Sequence, residues 1–190
     1  MKVLRLAAIL VVSVLAFSQS GEIAPNENLV AQGIPKIPSS LADAVDRYTN
    51  FRGASLESWD PVRREMLIST RFADTNQVHL VKMPGGARTQ LTFYADRVGA
   101  AQYPPTKDDS FVFSKDVGGG EFFQLYRYDI ATGDATLLTD GKSRNTDPIW
   151  SYAGDKLVYG STRRTGNDVD LFLVNPTDPK SDHLDRKSVV

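Results

Sequence analysis

The sequence predicts an all-β chain, a partial β-propeller of about three four-stranded blades preceded by a signal peptide and one short helix. Three observations predict it. Short apolar strands return in a fixed order every 44 to 47 residues from Phe51 onward, turn residues separate them, and no helix-period run longer than two turns follows that point.

Composition sets what such a chain can be. It has 190 residues, 41% of them hydrophobic and 24% charged, which is ordinary globular content. The formal net charge is -1, and basic residues gather only in pairs such as Arg63-Arg64 and Arg163-Arg164, so there is no electrostatic footprint for nucleic acid or an anionic membrane. With no cysteine, disulfides, thiolate metal sites and a Cys nucleophile are excluded.

Residues 1–20 read as a signal peptide: Lys2 and Arg5 precede an apolar run from Leu6 to Phe17, then small and polar residues reach Gly21. Cleavage is expected after Ser18 or Ser20, and a run this short does not span a bilayer that asks for about 20 apolar residues. An uncleaved anchor is the alternative; either way the body is exported, periplasmic or extracellular, with no other membrane segment. Residues 21–38, rich in Pro, Asn and Gln, read as an extended leader. A short helix is expected over 39–50, with Ser40 and Asp43 as a capping box and Leu41, Ala44, Val45 and Tyr48 as a packing stripe.

The repeat fills residues 51–184, with blades at about 53–93, 94–140 and 141–184. Trp59, Tyr103 and Trp150 each close a first strand before a turn. An apolar second strand ends at Ser69, Ser114 and Ser161. A third, alternating strand begins at Gln77, Gln124 and Asp170 and places Val78 and Leu80, Leu125, and Leu171 and Leu173 to face a neighbouring blade. Gln90-Leu91-Thr92 and Leu137-Leu138-Thr139 supply a fourth strand, and the same step lands on Leu184. Pro84-Gly85-Gly86, Thr132-Gly133-Asp134 and Ala153-Gly154-Asp155 are the turn chemistry between them. Trp59 and Trp150 are expected to pack between blades. Residues 185–190 do not resume the repeat, which leads to the expectation of a longer product cut off in its third blade. Open blade faces then predict marginal stability and aggregation.

The stretch from Asp147-Pro148-Ile149-Trp150-Ser151 through Gly154-Asp155 and the strand to Ser161, then Arg163, Gly166-Asn167 and Asp170-Leu171-Phe172, closely resembles the TolB-type propeller repeat, with Tyr152 where that pattern has Pro. The leader, the helix and the stretch from Phe51-Arg52-Gly53-Ala54 through Gln77-Val78-His79-Leu80 to Arg88-Thr89-Gln90-Leu91-Thr92-Phe93 resemble the N-terminal region of exported peptidases of the prolyl oligopeptidase family, in its dipeptidyl and acylaminoacyl branch. That resemblance implies a propeller that filters peptides on their way to a C-terminal α/β-hydrolase domain holding a Ser-His-Asp triad.

The chain itself offers no catalytic residue. Gly53-Ala54-Ser55-Leu56-Glu57 and Gly141-Lys142-Ser143-Arg144-Asn145 each lack the second Gly of a nucleophile elbow, and His79 and His183 have no nucleophile beside them in the pattern. No residue set asks for a metal or cofactor; Asn167, Asp168 and Asp170 lack calcium-loop spacing and read as a solvated turn. The Gly118-Gly119-Gly120-Glu121 loop before Phe122-Phe123 is the candidate functional loop, with Glu121 as a carboxylate for a peptide amine or, alternatively, a plain hairpin residue. Two function classes remain: the substrate-gating propeller of an exported serine peptidase, with peptides and a hydrolase domain as partners, or a non-enzymatic TolB-like binding propeller of the cell envelope.

Overall fold

The structure is a computed structural model that describes residues 21–188. The signal peptide expected over residues 1–20 lies outside the described residues. Among those described, no helix is long and apolar enough to cross a membrane. The fold divides into two units, one ending at Phe51 and the other starting at Arg52.

In the first unit the leader is not simply extended. Strands β1 (Glu22–Ile23) and β2 (Ile37–Pro38) pair antiparallel and fold it back on itself, with Lys36 and Glu22 paired at 2.8 Å. The helix α1 spans Ser39–Thr49 directly after Pro38. Ser40 is therefore already helical, and the expected capping box is not made: the N-terminus carries no side-chain cap. The apolar stripe was expected to pack, but no residue of α1 is buried and Leu41, Val45 and Tyr48 are all exposed.

The second unit is three antiparallel four-stranded sheets, each a simple meander. Blade 1 is β3 (Ala54–Trp59), β4 (Met66–Thr70), β5 (Gln77–Val81) and β6 (Arg88–Gln90). Blade 2 is β7 (Val98–Gln102), β8 (Ser110–Lys115), β9 (Gln124–Asp129) and β10 (Ala135–Leu137). Blade 3 is β11 (Asn145–Trp150), β12 (Leu157–Ser161), β13 (Asp170–Asn175) and β14 (Asp178–Arg186). Leu184 opposes Phe172, as the repeat step expects, and the third sheet has its four strands; Arg186 opposes Leu171, so the expectation that residues 185–190 leave the repeat is corrected for Asp185 and Arg186.

Alternation in the strands builds two cores between the sheets. Leu67, Val78 and Leu80 of blade 1 meet Val98, Tyr103, Phe111, Phe113 and Tyr128 of blade 2, where Phe111 stacks on Tyr128 at 4.8 Å. Val112, Leu125 and Leu138 of blade 2 meet Leu157, Tyr159, Phe172 and Val174 of blade 3. Each such side chain removed from water contributes roughly 1.5–3 kcal/mol, so these two layers are what make the sheets one body.

Polar joints repeat beside the cores. Gln77 at the start of β5 donates to Tyr94 O and Asp96 O and accepts from the Tyr94 amide at 3.1 Å. Gln124 at the start of β9 donates to Ser143 O at 2.7 Å and accepts from the Gly141 amide at 2.9 Å. Asp170 at the start of β13 accepts from the Ser188 amide at 2.8 Å. Each of these side chains thus fastens the segment that leaves its own blade's fourth strand. The Thr of each Leu-Thr pair closes the same corner, since Thr92 accepts from the Val78 amide and Thr139 from the Leu125 amide.

The ladder also corrects one repeat register. Ser69 opposes Val78 and Ser114 opposes Leu125, but Ser161 opposes Asp170, and the residue in the matching position is Gly160, opposite Leu171. A Cβ at Gly160 would lie 2.7 Å from Val169 Cγ1 and 2.9 Å from Thr146 Oγ1, so the serine of the other two blades does not fit there.

Candidate functional site

The first strands β3, β7 and β11 each carry a bulge, after Leu56, Gly99 and Thr146 respectively. In blades 2 and 3 the bulge holds a non-glycine residue in the left-handed region, Ala100 at φ 51° and Asp147 at φ 50°. Such a backbone costs about 1 kcal/mol or more per residue and turns amide groups out of the ladder. In blade 1 the bulged residue is Glu57, whose Oε2 accepts the Ala101 amide of the neighbouring bulge at 3.2 Å. Burial pushes the Glu57 carboxyl above its usual range, against the opposing pull of the Ala101 amide and the Arg97 charge. Sequence reasoning missed this residue: a single Glu among strand residues gives no signal until the bulges are superposed.

At the adjoining end of blades 2 and 3 lies the Gly118-Gly119-Gly120-Glu121 loop, which joins β8 to β9. Gly118 and Gly119 adopt φ 64° and 73°, which explains their identity, and the Gly118 amide is held by Asp96 Oδ1 at 3.0 Å. Glu121 also has a positive φ, 60°, with its amide on Asp116 Oδ2 at 3.0 Å. Its side chain is 71% exposed and sits 3.6 Å from Arg144 Nη2, while that guanidinium lies over the Phe122 ring at 5.5 Å. Phe123, at the end of the loop, lines a cavity of about 220 Å³ between blades 2 and 3 with Ala100, Ser114, Asn145, Asp147 and Pro148. The bulges thus bring the Asp147 carboxylate and the Ala100 backbone to the lining of this cavity.

The histidines are elsewhere. His79 is fully buried in β5, its Nδ1 3.0 Å from Gln77 O and its ring edge-on to Phe72, and burial holds its pKa below the usual imidazole value. His183 on β14 has Nδ1 2.6 Å from Ser181 O. Neither stands beside a serine hydroxyl and a carboxylate in a triad. Among the described residues no group of His, Asp or Glu could hold a metal ion.

Of the aromatic anchors, Tyr103 is buried in the first interblade core and Trp150 packs against the second. Trp59 does not pack between blades: it is 60% exposed, and among the described residues of the second unit blade 1 has no preceding blade to meet the side that corresponds to Tyr103 and Trp150. The turn at Asn167–Asp168 is not simply solvated either. Asp170 beside it is buried and paired with Arg164 Nε at 2.6 Å, and that hydrogen bond, with those from Ser188, lowers its pKa to about 2.

No known sequence family matches the chain, and no curated protein does. Solved structures do. A TolB-type protein of Agrobacterium tumefaciens superposes with a TM-score of 0.56 at 18% identity over 70% of this chain and 48% of its own. TolB from Acinetobacter baumannii superposes with a TM-score of 0.56 at 22% identity over 74% of this chain and 34% of its own. The chain thus spans between a third and a half of those proteins, and the likeness fixes its architecture: the second unit is a partial TolB-like β-propeller.

Proposed function

We propose that the chain is part of the substrate-gating propeller of an exported serine peptidase, with peptides as substrates and an α/β-hydrolase domain as the part that cleaves them. The observation that carries this reading is the cavity between blades 2 and 3, where the bulges at Ala100 and Asp147 meet Phe123 at the end of the Glu121 loop. In this role the residues select and orient: carboxylates take a peptide ammonium, and bulge backbone takes amide groups. Glu121 contributes its one carboxylate beside Arg144, which limits how strongly it binds a second cation. The resemblance of the leader and of the Arg88–Phe93 segment to that peptidase family supports the same role, as does the signal-peptide pattern for export.

A second reading, a non-enzymatic TolB-like propeller of the cell envelope, is favoured by the match of residues 147–172 to that repeat and by the solved structures above. One experiment separates them. The coding DNA is read past the codon for Leu184, and the encoded product is assayed on a peptide nitroanilide with and without a fluorophosphonate. A frame that runs into a Gly-x-Ser-x-Gly elbow and a product whose hydrolysis the fluorophosphonate abolishes support the peptidase. A product with neither overturns it in favour of the binding module.

A further inference from the structure

At the opposite end of blades 2 and 3, a cavity of about 250 Å³ opens among Pro104, Lys107, Arg127, Trp150, Asp155 and Asn175. The repeat provides an internal control for it. Counting from the starts of the third strands, Arg127 on β9 stands where blade 1 has Leu80 and blade 3 has Leu173, and its partners across the ladder, Val112, Leu67 and Val158, are apolar in all three. Leu80 is a buried core residue. Blade 2 has thus replaced a core leucine with a guanidinium.

That guanidinium is poorly matched. Its side chain is only 19% exposed, and among the described residues its one polar partner is Asp129, with Oδ2 3.5 Å from Nη2. Of its five N–H donors only one has an acceptor among the described residues, at a long distance, and the guanidinium lines the cavity, where the rest are open to a ligand. The neighbouring junction shows the same place closed. Between blades 1 and 2, Arg63 of the first turn reaches Asp108 of the second and pairs with it at 3.0 Å. Between blades 2 and 3, the turns are tied only by Thr106 Oγ1 donating to Ala153 O at 3.2 Å, and Lys107 makes no ion pair among the described residues.

We infer that this cavity binds a carboxylate, with Arg127 as the recognising group and Lys107 in support. The planar fork of a guanidinium matches a carboxylate, and the walls of Pro104, Trp150 and Pro176 leave apolar room for the group that bears it. Two lining acids are engaged by serines: Asp109 accepts from Ser110 Oγ at 3.0 Å and Asp155 from Ser151 Oγ at 2.7 Å. Their charges weaken the positive field of Arg127 and Lys107, which disfavours a phosphate dianion more than a singly charged carboxylate held by the guanidinium fork. The volume suits one or two residues of a peptide, which bears such a group at its C-terminus or on an acidic side chain.

The chain contains two tryptophans, so Trp59→Phe leaves Trp150, on the cavity wall, as the reporter. The probes are N-acetyl-Ala-Ala-Phe as the free acid, the same peptide as its C-terminal amide, and N-acetyl-Ala-Asp-Ala amide, each titrated by fluorescence at low salt. We expect saturable binding of the free acid at least tenfold tighter than of its amide if the C-terminus is the ligand, or of the Asp peptide if the side chain is. Arg127→Leu, which installs the residue of the other two blades, abolishes it without lowering the melting temperature, and Lys107→Gln weakens it several-fold. The inference is overturned if neither carboxylate peptide binds better than the amide, or if Arg127→Leu binds as the parent does. Should Arg127→Leu fail to fold, the acid-against-amide comparison on the parent decides alone.

Discussion

Gln124→Ala tests how the blades are joined. The Gln124 side chain is buried and makes five hydrogen bonds: Nε2 donates to Phe122 O at 3.0 Å and Ser143 O at 2.7 Å, and Oε1 accepts from Thr139 Oγ1 at 2.7 Å, the Gly141 amide at 2.9 Å and Asn145 Nδ2 at 3.2 Å. A net hydrogen bond is worth about 1 kcal/mol, and a buried partner left unpaired costs about 1–3 kcal/mol. Asn145 Nδ2 keeps its bonds to Phe123 O and Ser143 O, and Gly141 lies at an exposed turn, so part of the loss is recovered. The expected destabilisation is about 3–4 kcal/mol, a large share of the roughly 5–15 kcal/mol typical of a domain. Urea unfolding followed by far-UV circular dichroism measures it, with Gln77→Ala as a parallel case at the blade 1 to blade 2 joint. A loss below about 1 kcal/mol in both would refute the idea that these glutamines fasten the connections, leaving the two apolar cores as the whole of the join.

Four further outcomes are expected. The folded-state pKa of Asp170, about 2, lies below the usual carboxylate value, so its pairing with Arg164 stabilises the fold above about pH 4 and is lost as the pH falls toward 2; Asp170→Asn flattens that part of the melting-temperature profile. Tyr159→Phe removes a hydroxyl that donates to Asp182 Oδ1 at 2.7 Å and accepts from Arg163 Nη2 at 2.8 Å, and costs about 1–2 kcal/mol by urea unfolding. Ala100→Gly relieves the positive φ and raises stability by about 0.5–1 kcal/mol, visible as a higher melting temperature. Leu171→Lys, at a position 42% exposed, reduces light scattering on concentration and leaves the melting temperature within a degree or two, since the side chain lies on the open face of blade 3.

What the sequence made legible was the part governed by period. Strand alternation must place Val78 and Leu80 against the next sheet, and Leu125 likewise, because a one-residue slip would expose the whole set. The same alternation carries Leu171 to the far side of blade 3, where nothing described covers it. Where the reading failed, local context overrode the period. Ser161 looked like the partner of Ser69 and Ser114, yet Val169 and Thr146 leave room only for glycine one residue earlier. The capping pattern at Ser40 was overtaken by Pro38, which holds the extended conformation (φ -62°, ψ 138°) just before the helix and takes the N-cap place two residues ahead of Ser40. The fourth strand of blade 3 was anticipated only at Leu184; its full extent, Asp178–Arg186, was hidden because the flanking residues are mostly polar and charged and are placed by pairing with β13 rather than by hydrophobicity.

The candidate sites were the least legible part, and the repeat explains why. A four-stranded meander needs apolar residues at alternate ladder positions and glycine at tight turns, and those demands survive at 18% and 22% identity. They leave the bulges of the first strands and the loops free to vary, and there each blade differs: Glu57 in one, Ala100 in the next, Asp147 in the third. Arg127 is the exception that shows the rule working in reverse. It occupies a ladder position where the other two blades carry leucine, Leu80 and Leu173. A departure from the core pattern at a buried position has to be compensated, by a protein partner or by a ligand. Asp129, at 3.5 Å, is the one polar partner of Arg127 among the described residues, and this is why the departure from the repeat is where we place a binding group.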